Sequence, residues 1–143
     1  MKNQRTRILA ACIALAAILS AAGSRTFLGP CVHDDGSFGV CHWAGEAMFG
    51  TALLLCAQSL TAVLVKNGSM RRGLFTAMLL TALLGILLPG TLIPLCQMAT
   101  MRCRMLMRPG MTILFALMGI AAAAGAFLSG ESSVEKQKRQ VGV

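Results

Sequence analysis

Several features that mark soluble enzymes are scarce or absent in this chain. It contains no tyrosine, one tryptophan and five acidic residues among 143. No nucleotide-binding glycine loop, metalloprotease helix, serine elbow or pair of catalytic carboxylates occurs. The net charge is +8, but no basic patch carries interleaved aromatic residues, which argues against nucleic acid as a partner. The sequence therefore offers no motif of a familiar hydrolase, nucleotide enzyme or nucleic-acid binder.

Charge is also missing from four long stretches, at residues 8–24, 47–65, 73–101 and 109–130. A helix rises about 1.5 Å per residue, so about 20 apolar residues cross a hydrocarbon core of about 30 Å. We therefore predict an all-α fold, an integral membrane four-helix bundle over residues 1–130 whose lipid-facing surface contacts the bilayer. The predicted spans are residues 7–25, 44–65, 73–94 and 109–130.

Four spans divide the basic residues unevenly between the two sides of the membrane. One side receives nine: Lys2, Arg5, Arg7, Lys66, Arg71, Arg72, Lys136, Lys138 and Arg139. The other side receives four: Arg25, Arg102, Arg104 and Arg108. The positive-inside rule then predicts a multi-pass protein of the cell inner (plasma) membrane with both termini in the cytoplasm. The polar residues 131–143 are predicted to form a disordered cytoplasmic tail.

The first span shares its basic start and apolar run with a cleavable secretory signal. Ala10, Ala14, Ala17 and Ala21 nevertheless recur at helical spacing, and small residues let membrane helices pack closely. The fourth span carries a matching set at Gly119, Ala122, Ala123 and Ala126. We therefore predict that the first span is retained as a packing helix. Cleavage of the first span would leave three spans, and the loop cysteines would stay on the same side of the membrane.

Four of the six cysteines lie in the two connections on the less basic side of the membrane. Cys31 and Cys41 lie between spans one and two, and Cys96 and Cys103 lie between spans three and four. Both loops are predicted to be extracytoplasmic, where disulfides persist. Four cysteines allow three pairings. We predict Cys31–Cys41 and Cys96–Cys103, which close the shortest loops, and closing about ten residues stabilises by roughly 2–3 kcal/mol.

The loop residues resemble an uncharacterised group of small prokaryotic membrane proteins, domain-of-unknown-function family 4418. The resemblance rests on Cys31, the run Cys-His-Trp-Ala-Gly-Glu-Ala at 41–47, Cys96, Met-Arg-Cys at 101–103 and Arg-Pro at 108–109. It covers roughly residues 7 to 127, and Cys-His-Trp is its most specific part. Glutamine is usual in the family where Glu46 stands here. The resemblance implies four spans and paired outer cysteines, and it implies no activity.

Six polar or aromatic positions in or beside the predicted loops are further candidates for function: His42, Trp43, Glu46, Arg102, Arg104 and Arg108. Trp43 has the position of an interfacial anchor. Glu46, one turn further, is predicted to reach the head groups and pair with Arg104 or Arg108, although a membrane carboxylate is also a functional candidate. His42 stands beside Cys41.

Within the apolar stretches, most polar or special residues have a structural interpretation. Cys12 and Cys56 are predicted to be small buried residues. Gln58 and Ser59 are predicted to hydrogen-bond to another helix. Two prolines, Pro89 and Pro94, predict that the third helix kinks near the first or ends before the second. Pro109 suits the first turn of the fourth helix.

A membrane thiol-disulfide oxidoreductase is one alternative to purely structural disulfides. Four spans with two outer cysteine pairs resemble the layout of quinone-linked thiol oxidoreductases, in which quinone would be the cofactor. A reactive cysteine needs a stabilised thiolate, and Arg102 and Arg104 flank Cys103, while His42 adjoins Cys41. In this interpretation Cys31, Cys41, Cys96 and Cys103 are the catalytic residues. Neither pair has the Cys-x-x-Cys spacing common in such enzymes.

A second alternative is the handling of a soft metal such as copper outside the cytoplasm. Thiolate and thioether groups select Cu(I), and Met98, Met101, Met105 and Met107 surround Cys103. His33 and His42 stand in the other loop region. Methionine is also a common filler of membrane helices, and no spacing matches a zinc site. We therefore assign no metal ligands.

The membrane interior contains few polar residues, whereas transport pathways usually need polar or ionisable groups within the membrane. A lone transporter is therefore not expected. We predict a non-enzymatic accessory or structural subunit of a larger membrane complex such as a transporter, with no cofactor.

Overall fold

The computed structural model describes residues 2–28, 40–94 and 103–141, and it describes side chains for residues 4–28, 40–94 and 104–130. Helical structure dominates these residues, which confirms the all-α prediction. The four α-helices are α1 (Lys2–Arg25), α2 (Val40–Leu64), α3 (Gly68–Leu87) and α4 (Arg108–Val141), and a π-helical turn, Cys103–Met107, precedes α4.

Each helix contains an apolar segment long enough to cross a bilayer. The four segments are Gln4–Arg25, Val40–Leu64, Gly68–Leu87 and Arg104–Gly130, with lengths of 22, 25, 20 and 27 residues. At about 1.5 Å per residue, each matches or exceeds a hydrocarbon core of about 30 Å. The chain is therefore a multi-pass membrane protein. Helix α4 continues past the end of its apolar segment at Gly130 to Val141 and includes most of the segment predicted to be a disordered tail.

The helices form a ring in which α1 packs on α2 and α4, and α3 packs on the same two helices. The pairs α1–α2 and α3–α4 make the most extensive contacts. Successive helices run in opposite directions. As a result, the end of α1, the start of α2, the end of α3 and the start of α4 meet at one end of the bundle. We call it the cysteine end, because Cys41 lies in the first turn of α2 and Cys103 begins the π-helical turn there. The opposite end, with the N-terminus and the α2–α3 turn, is the basic end.

Helix α3 ends before residue 94, the end of the span predicted from its apolar run. Pro89 has no N–H to donate, so the helix stops at Leu87. Gly90 follows with a φ of 90°, a conformation that glycine tolerates better than other residues. Its N–H donates to the carbonyl of Ile93 at 3.0 Å and closes a turn. The predicted span at 73–94 therefore ends in a turn, and its helix stops before Pro94 rather than kinking.

The small-residue set on α1 faces the interior of the bundle, and the set on α4 does so in part, since Gly119 and Ala122 are buried whereas Ala123 and Ala126 are half-buried. The four alanines of α1, Ala10, Ala14, Ala17 and Ala21, are all buried. A Cβ at Gly119 would lie 3.5 Å from the Cβ of Ala82 on α3. These small residues let neighbouring helices approach each other, as the sequence predicts. These small residues therefore serve helix packing within the chain.

Helices α3 and α4 pack through a pattern that occurs in both. Phenylalanine, methionine, alanine and glycine recur with identical spacing and are buried in both helices: Phe75, Met78, Ala82 and Gly85, then Phe115, Met118, Ala122 and Gly125. A Cβ at Gly125 would lie 2.5 Å from Cδ1 of Phe75. A Cβ at Gly85 would lie 2.5 Å from Cδ1 of Phe115. The phenylalanine ring of each helix thus packs against the glycine of the other helix.

A side-chain hydrogen bond links α2 and α3. Nε2 of Gln58 donates to Oγ1 of Thr81 at 3.3 Å, which confirms the prediction that Gln58 bonds to another helix. Ser59 instead donates to carbonyls of its own helix, at Leu55 and Cys56. The prediction for Ser59 is wrong, because a serine hydroxyl can reach the carbonyl of the preceding turn.

Candidate functional site

The candidate residues divide between positions that the structure describes and positions that it does not. Side chains are described for Cys41, His42, Trp43, Glu46, Arg104 and Arg108, which lie in the first two turns of α2, at the start of α4 or in the turn that precedes α4. Cys31, Cys96 and Arg102, and the side chain of Cys103, lie outside the described residues. The disulfides Cys31–Cys41 and Cys96–Cys103 therefore stay predictions.

An ion pair joins the end of α1 to the second turn of α2. Nη2 of Arg25 donates to Oε2 of Glu46 at 2.8 Å, and Nη1 lies 2.8 Å from Oε1, so the contact is bidentate. The guanidinium also stacks on Phe49, with Cζ 4.3 Å from the ring centroid. The prediction that Glu46 pairs with Arg104 or Arg108 is wrong. Arg25 is nearer because it ends the helix that precedes α2 and packs on it.

His42 and Trp43 form an aromatic pair at the start of α2. Their ring centroids are 5.9 Å apart and their planes meet at 75°, an edge-to-face arrangement. Trp43 is 66% exposed, the position that an interfacial anchor would take. His42 is half-buried and turns towards α1. The pair therefore presents an apolar surface outward and an imidazole inward.

A small cleft lies between the ends of α1 and α2. Its volume is about 140 Å³, and Ser24, Arg25, His42, Gly45 and Glu46 line it. The Ser24 hydroxyl donates to the carbonyl of Ala21 at 2.8 Å. Glu46 balances the charge of Arg25 within bonding distance, so this ion pair adds no net charge to the cleft. Among the five lining residues, Ser24 carries no signal in the sequence that marks it as part of a site, and Gly45 is marked only by its place in the run at 41–47.

Two further contacts at the cysteine end involve glycines, and the sequence analysis missed both. Leu28, just after α1, lies between α1 and α4. A Cβ at Gly23 would lie 3.2 Å from its Cδ1, and one at Gly110 would lie 3.0 Å from its Cδ2. The guanidinium of Arg108 packs against the turn after α3, with Cζ 3.3 Å from a Cβ built at Gly90. Arg108 therefore holds the start of α4 to the end of α3.

The described cysteines differ in their surroundings. Cys41 is buried, with 1% of its surface exposed, in the first turn of α2. Cys12 is exposed, which contradicts the prediction that it is buried, because it lies on the outward face of α1 beside Leu15. Cys56 is partly exposed.

The described methionines near Cys103 do not converge on one point. Met105 is largely exposed, whereas Met107 is fully buried. Among residues whose side chains are described, no group of three His, Cys, Asp or Glu residues could hold a metal ion. Met98, Met101 and His33, which the soft-metal interpretation also needs, lie outside the described residues.

Comparison with known proteins identifies the family. A family model described as a domain of unknown function, DUF4418, matches residues 12–128, so the chain belongs to that family. The resemblance noted from the sequence is thereby confirmed at the level of the family. No curated protein and no solved structure matches the chain.

Proposed function

We propose that the protein is a non-enzymatic structural subunit of a larger membrane complex, such as a transporter, and that its cysteine end presents the two loops to the partner. In this proposal the chain lies in the plasma membrane with both termini in the cytoplasm. Nine basic residues on the terminal side against four on the other support this orientation.

The observation that carries the proposal is the set of contacts that fixes the four helix ends at the cysteine end. Arg25 and Glu46 join α1 to α2. Leu28 joins α1 to α4, and Arg108 joins α4 to the turn after α3. The connections at 29–39 and 95–102 are thus attached to helix ends, and to the turn after α3, that hold each other in place. Helix ends that are fixed before binding lose less conformational entropy when a partner binds.

The cysteine end also offers an exposed aromatic residue of the kind that anchors interfaces. Trp43 is 66% exposed and contacts His42 edge-to-face. Tryptophan is among the residues that contribute most to protein–protein affinity. The small-residue faces on α1 and around Gly119 are buried within the chain, so they are not offered to a partner.

Site-specific photo-crosslinking in the native host tests this proposal. A crosslinking amino acid at position 43 should yield one discrete adduct with another membrane protein. The matched control is position 127, where Phe127 is 79% exposed in the half of α4 nearer the basic end. The wild-type chain should also purify in mild detergent within a complex larger than a monomer. A chain that runs as a monomer in several mild detergents, with no crosslink from position 43, would contradict the proposal.

A second candidate function is a thiol-disulfide oxidoreductase that uses Cys31, Cys41, Cys96 and Cys103. The observation that favours it is the position of Cys41, which directly precedes His42 at the edge of the cleft. In this reaction the two thiols of a client are oxidised to a disulfide, and one cysteine pair is reduced. That pair is reoxidised by a quinone, which accepts two electrons and two protons and becomes a quinol.

The thiol state of the four cysteines in native membranes separates the two candidates. Stable oxidation that does not respond to quinone depletion supports structural disulfides and the subunit role. A mixture of thiol and disulfide that shifts with quinone supply supports the oxidoreductase. A Cys31→Ser variant should be less abundant in the first case. In the second case it should be stable and trap a mixed disulfide with a client.

A further inference from the structure

We propose that the basic end of the bundle binds the phosphate head group of an anionic phospholipid, with Arg72 as the principal contact, beside α3 and α4. This site is independent of the function proposed above. The described basic residues at this end come from α1, the α2–α3 turn and α3, and they are Arg5, Arg7, Lys66, Arg71 and Arg72. All except Arg71 are exposed.

No carboxylate among the described side chains balances this positive charge. Glu46 is the only acid whose side chain is described, and it pairs with Arg25 at the cysteine end. Residues 131–141 carry two acids against three bases, so their sequence does not reverse the sign. Arg7 lies close enough to Arg71 for the two positive charges to repel each other. Arg71 is 2% exposed, and solvent screens a buried charge only weakly. The basic end therefore attracts an anion.

Helix α3 begins at this end with charges opposite to those that a helix start prefers. Its first turn contains no acidic residue, and the side chain of Asn67 makes no capping hydrogen bond. Arg71 and Arg72 follow directly. The start of a helix carries a partial positive charge, which favours anions and disfavours cations. A phosphate at this place would stabilise both the arginines and the start of the helix.

The guanidinium of Arg72 is positioned for such a contact. It packs against α4 at Gly130, where a Cβ would lie 3.2 Å from Cζ and 3.3 Å from Nη1. Gly73, the next residue, is exposed, and a Cβ there would meet nothing within 4 Å, so space remains for a head group. A guanidinium presents paired N–H donors whose geometry matches the oxygens of a phosphate.

Exposed apolar surface on the membrane side of Arg72 favours a lipid over a soluble phosphate. Phe127 stands one helical turn before Gly130 on α4 and is 79% exposed. Leu80, about two turns after Arg72 on α3, is 63% exposed. A phosphate at Arg72 therefore places the attached acyl chains along exposed apolar side chains of both helices.

Quenching of a tryptophan at position 127 by brominated lipids tests the proposal. The full-length variant with Trp43→Phe and Phe127→Trp is placed in vesicles that contain dibromo-phosphatidylglycerol or dibromo-phosphatidylcholine at equal mole fraction. Quenching at position 127 should show a preference of about fivefold for phosphatidylglycerol, the factor expected for one arginine at a membrane surface. The matched control is the wild-type chain, whose only tryptophan is Trp43 at the cysteine end. There, the two lipids should quench equally.

Three further variants, made in the position-127 reporter, identify the contact. Arg72→Gln should lower the preference about fivefold, whereas Arg72→Lys keeps the charge and should retain most of it. Arg5→Gln removes the same charge from another helix at the same end, so it should have the smaller effect. Circular dichroism verifies that each variant keeps its helical content. If Arg5→Gln lowers the preference as much as Arg72→Gln, the charges attract lipid only diffusely and the site at Arg72 is wrong.

Three other outcomes would also overturn the proposal. The first is equal quenching by the two lipids at position 127. The second is a preference for phosphatidylglycerol at Trp43 as large as the one at position 127. The third is loss of the preference when millimolar glycerol phosphate is added, which would identify a soluble phosphate as the ligand.

Discussion

Replacing Gly125 by alanine tests the reciprocal packing of α3 and α4. The new Cβ would lie 2.5 Å from Cδ1 of Phe75, whereas carbon atoms in contact are normally about 3.5–4.0 Å apart. The ring or the helix must therefore move by about 1 Å. Overpacking of this kind costs about 1–3 kcal/mol. Alanine also favours a helix over glycine by up to about 1 kcal/mol, which offsets part of the loss.

A matched control separates the cost of the steric clash from the gain in helix propensity. Gly50 is also within a helix, but a Cβ there would meet nothing within 4 Å. Gly50→Ala therefore gains the same helix propensity without a clash. The free energy of unfolding of Gly125→Ala should be lower than that of Gly50→Ala by about 1–3 kcal/mol.

Detergent-induced unfolding, followed by circular dichroism in mixed micelles, measures this difference. Adding Phe75→Leu to Gly125→Ala should recover part of the loss, since the smaller side chain makes room for the Cβ. The coupling energy should be about 0.5–3 kcal/mol, as for residues in contact. If the free energies of unfolding of Gly125→Ala and Gly50→Ala differ by less than about 0.5 kcal/mol, the packing described for this interface is refuted.

Four further predictions concern the two ends and the interior. An impermeant thiol reagent, applied to intact cells after reduction, should label Cys31 and Cys103; labelling of Cys103 only from the cytoplasmic side would reverse the topology. Glu46→Gln should lower the unfolding free energy by at most about 1 kcal/mol, because the ion pair is well exposed to solvent. Arg25→Ala should cost more in the same assay, because its aromatic contact is also lost. Gln58→Leu should cost about 0.6 kcal/mol in thermal unfolding, the typical value of a hydrogen bond between membrane helices, and no loss would contradict the bond to Thr81.

The sequence predicts the fold well because charge is so costly in a membrane. Long stretches without charge locate all four helices, although α3 ends seven residues before its predicted limit at 94 and α4 continues past 130. The number of helices determines that Cys41 and Cys103 share one end. The end of α3 is less certain from the sequence, since the residues around Pro89 are as apolar as the helix itself. Only the proline and Gly90 mark where the helix stops.

Side-chain directions were harder to predict because lipid-facing and buried positions are equally apolar. Cys12 and Ala14 both lie in the apolar run of α1, yet the first is exposed and the second is buried. The partner of Glu46 was also missed, since four arginines lie on the same side of the predicted membrane and helix packing decides which is nearest. The repeated Phe-Met-Ala-Gly spacing was visible in the sequence, but its meaning depends on the antiparallel contact.

The packing of each phenylalanine against the glycine of the other helix, in α3 and α4, limits which substitutions the family can accept. A larger residue at position 125 is compatible with the same helix separation only if position 75 becomes smaller, and the same holds for positions 85 and 115. Side-chain volume should therefore covary within each pair across homologous sequences. The two pairs lie at opposite ends of one interface. The distance between the helices could therefore increase at one pair while the contact at the other pair is retained. Homologues that lost only one glycine should then differ in helix tilt rather than in topology.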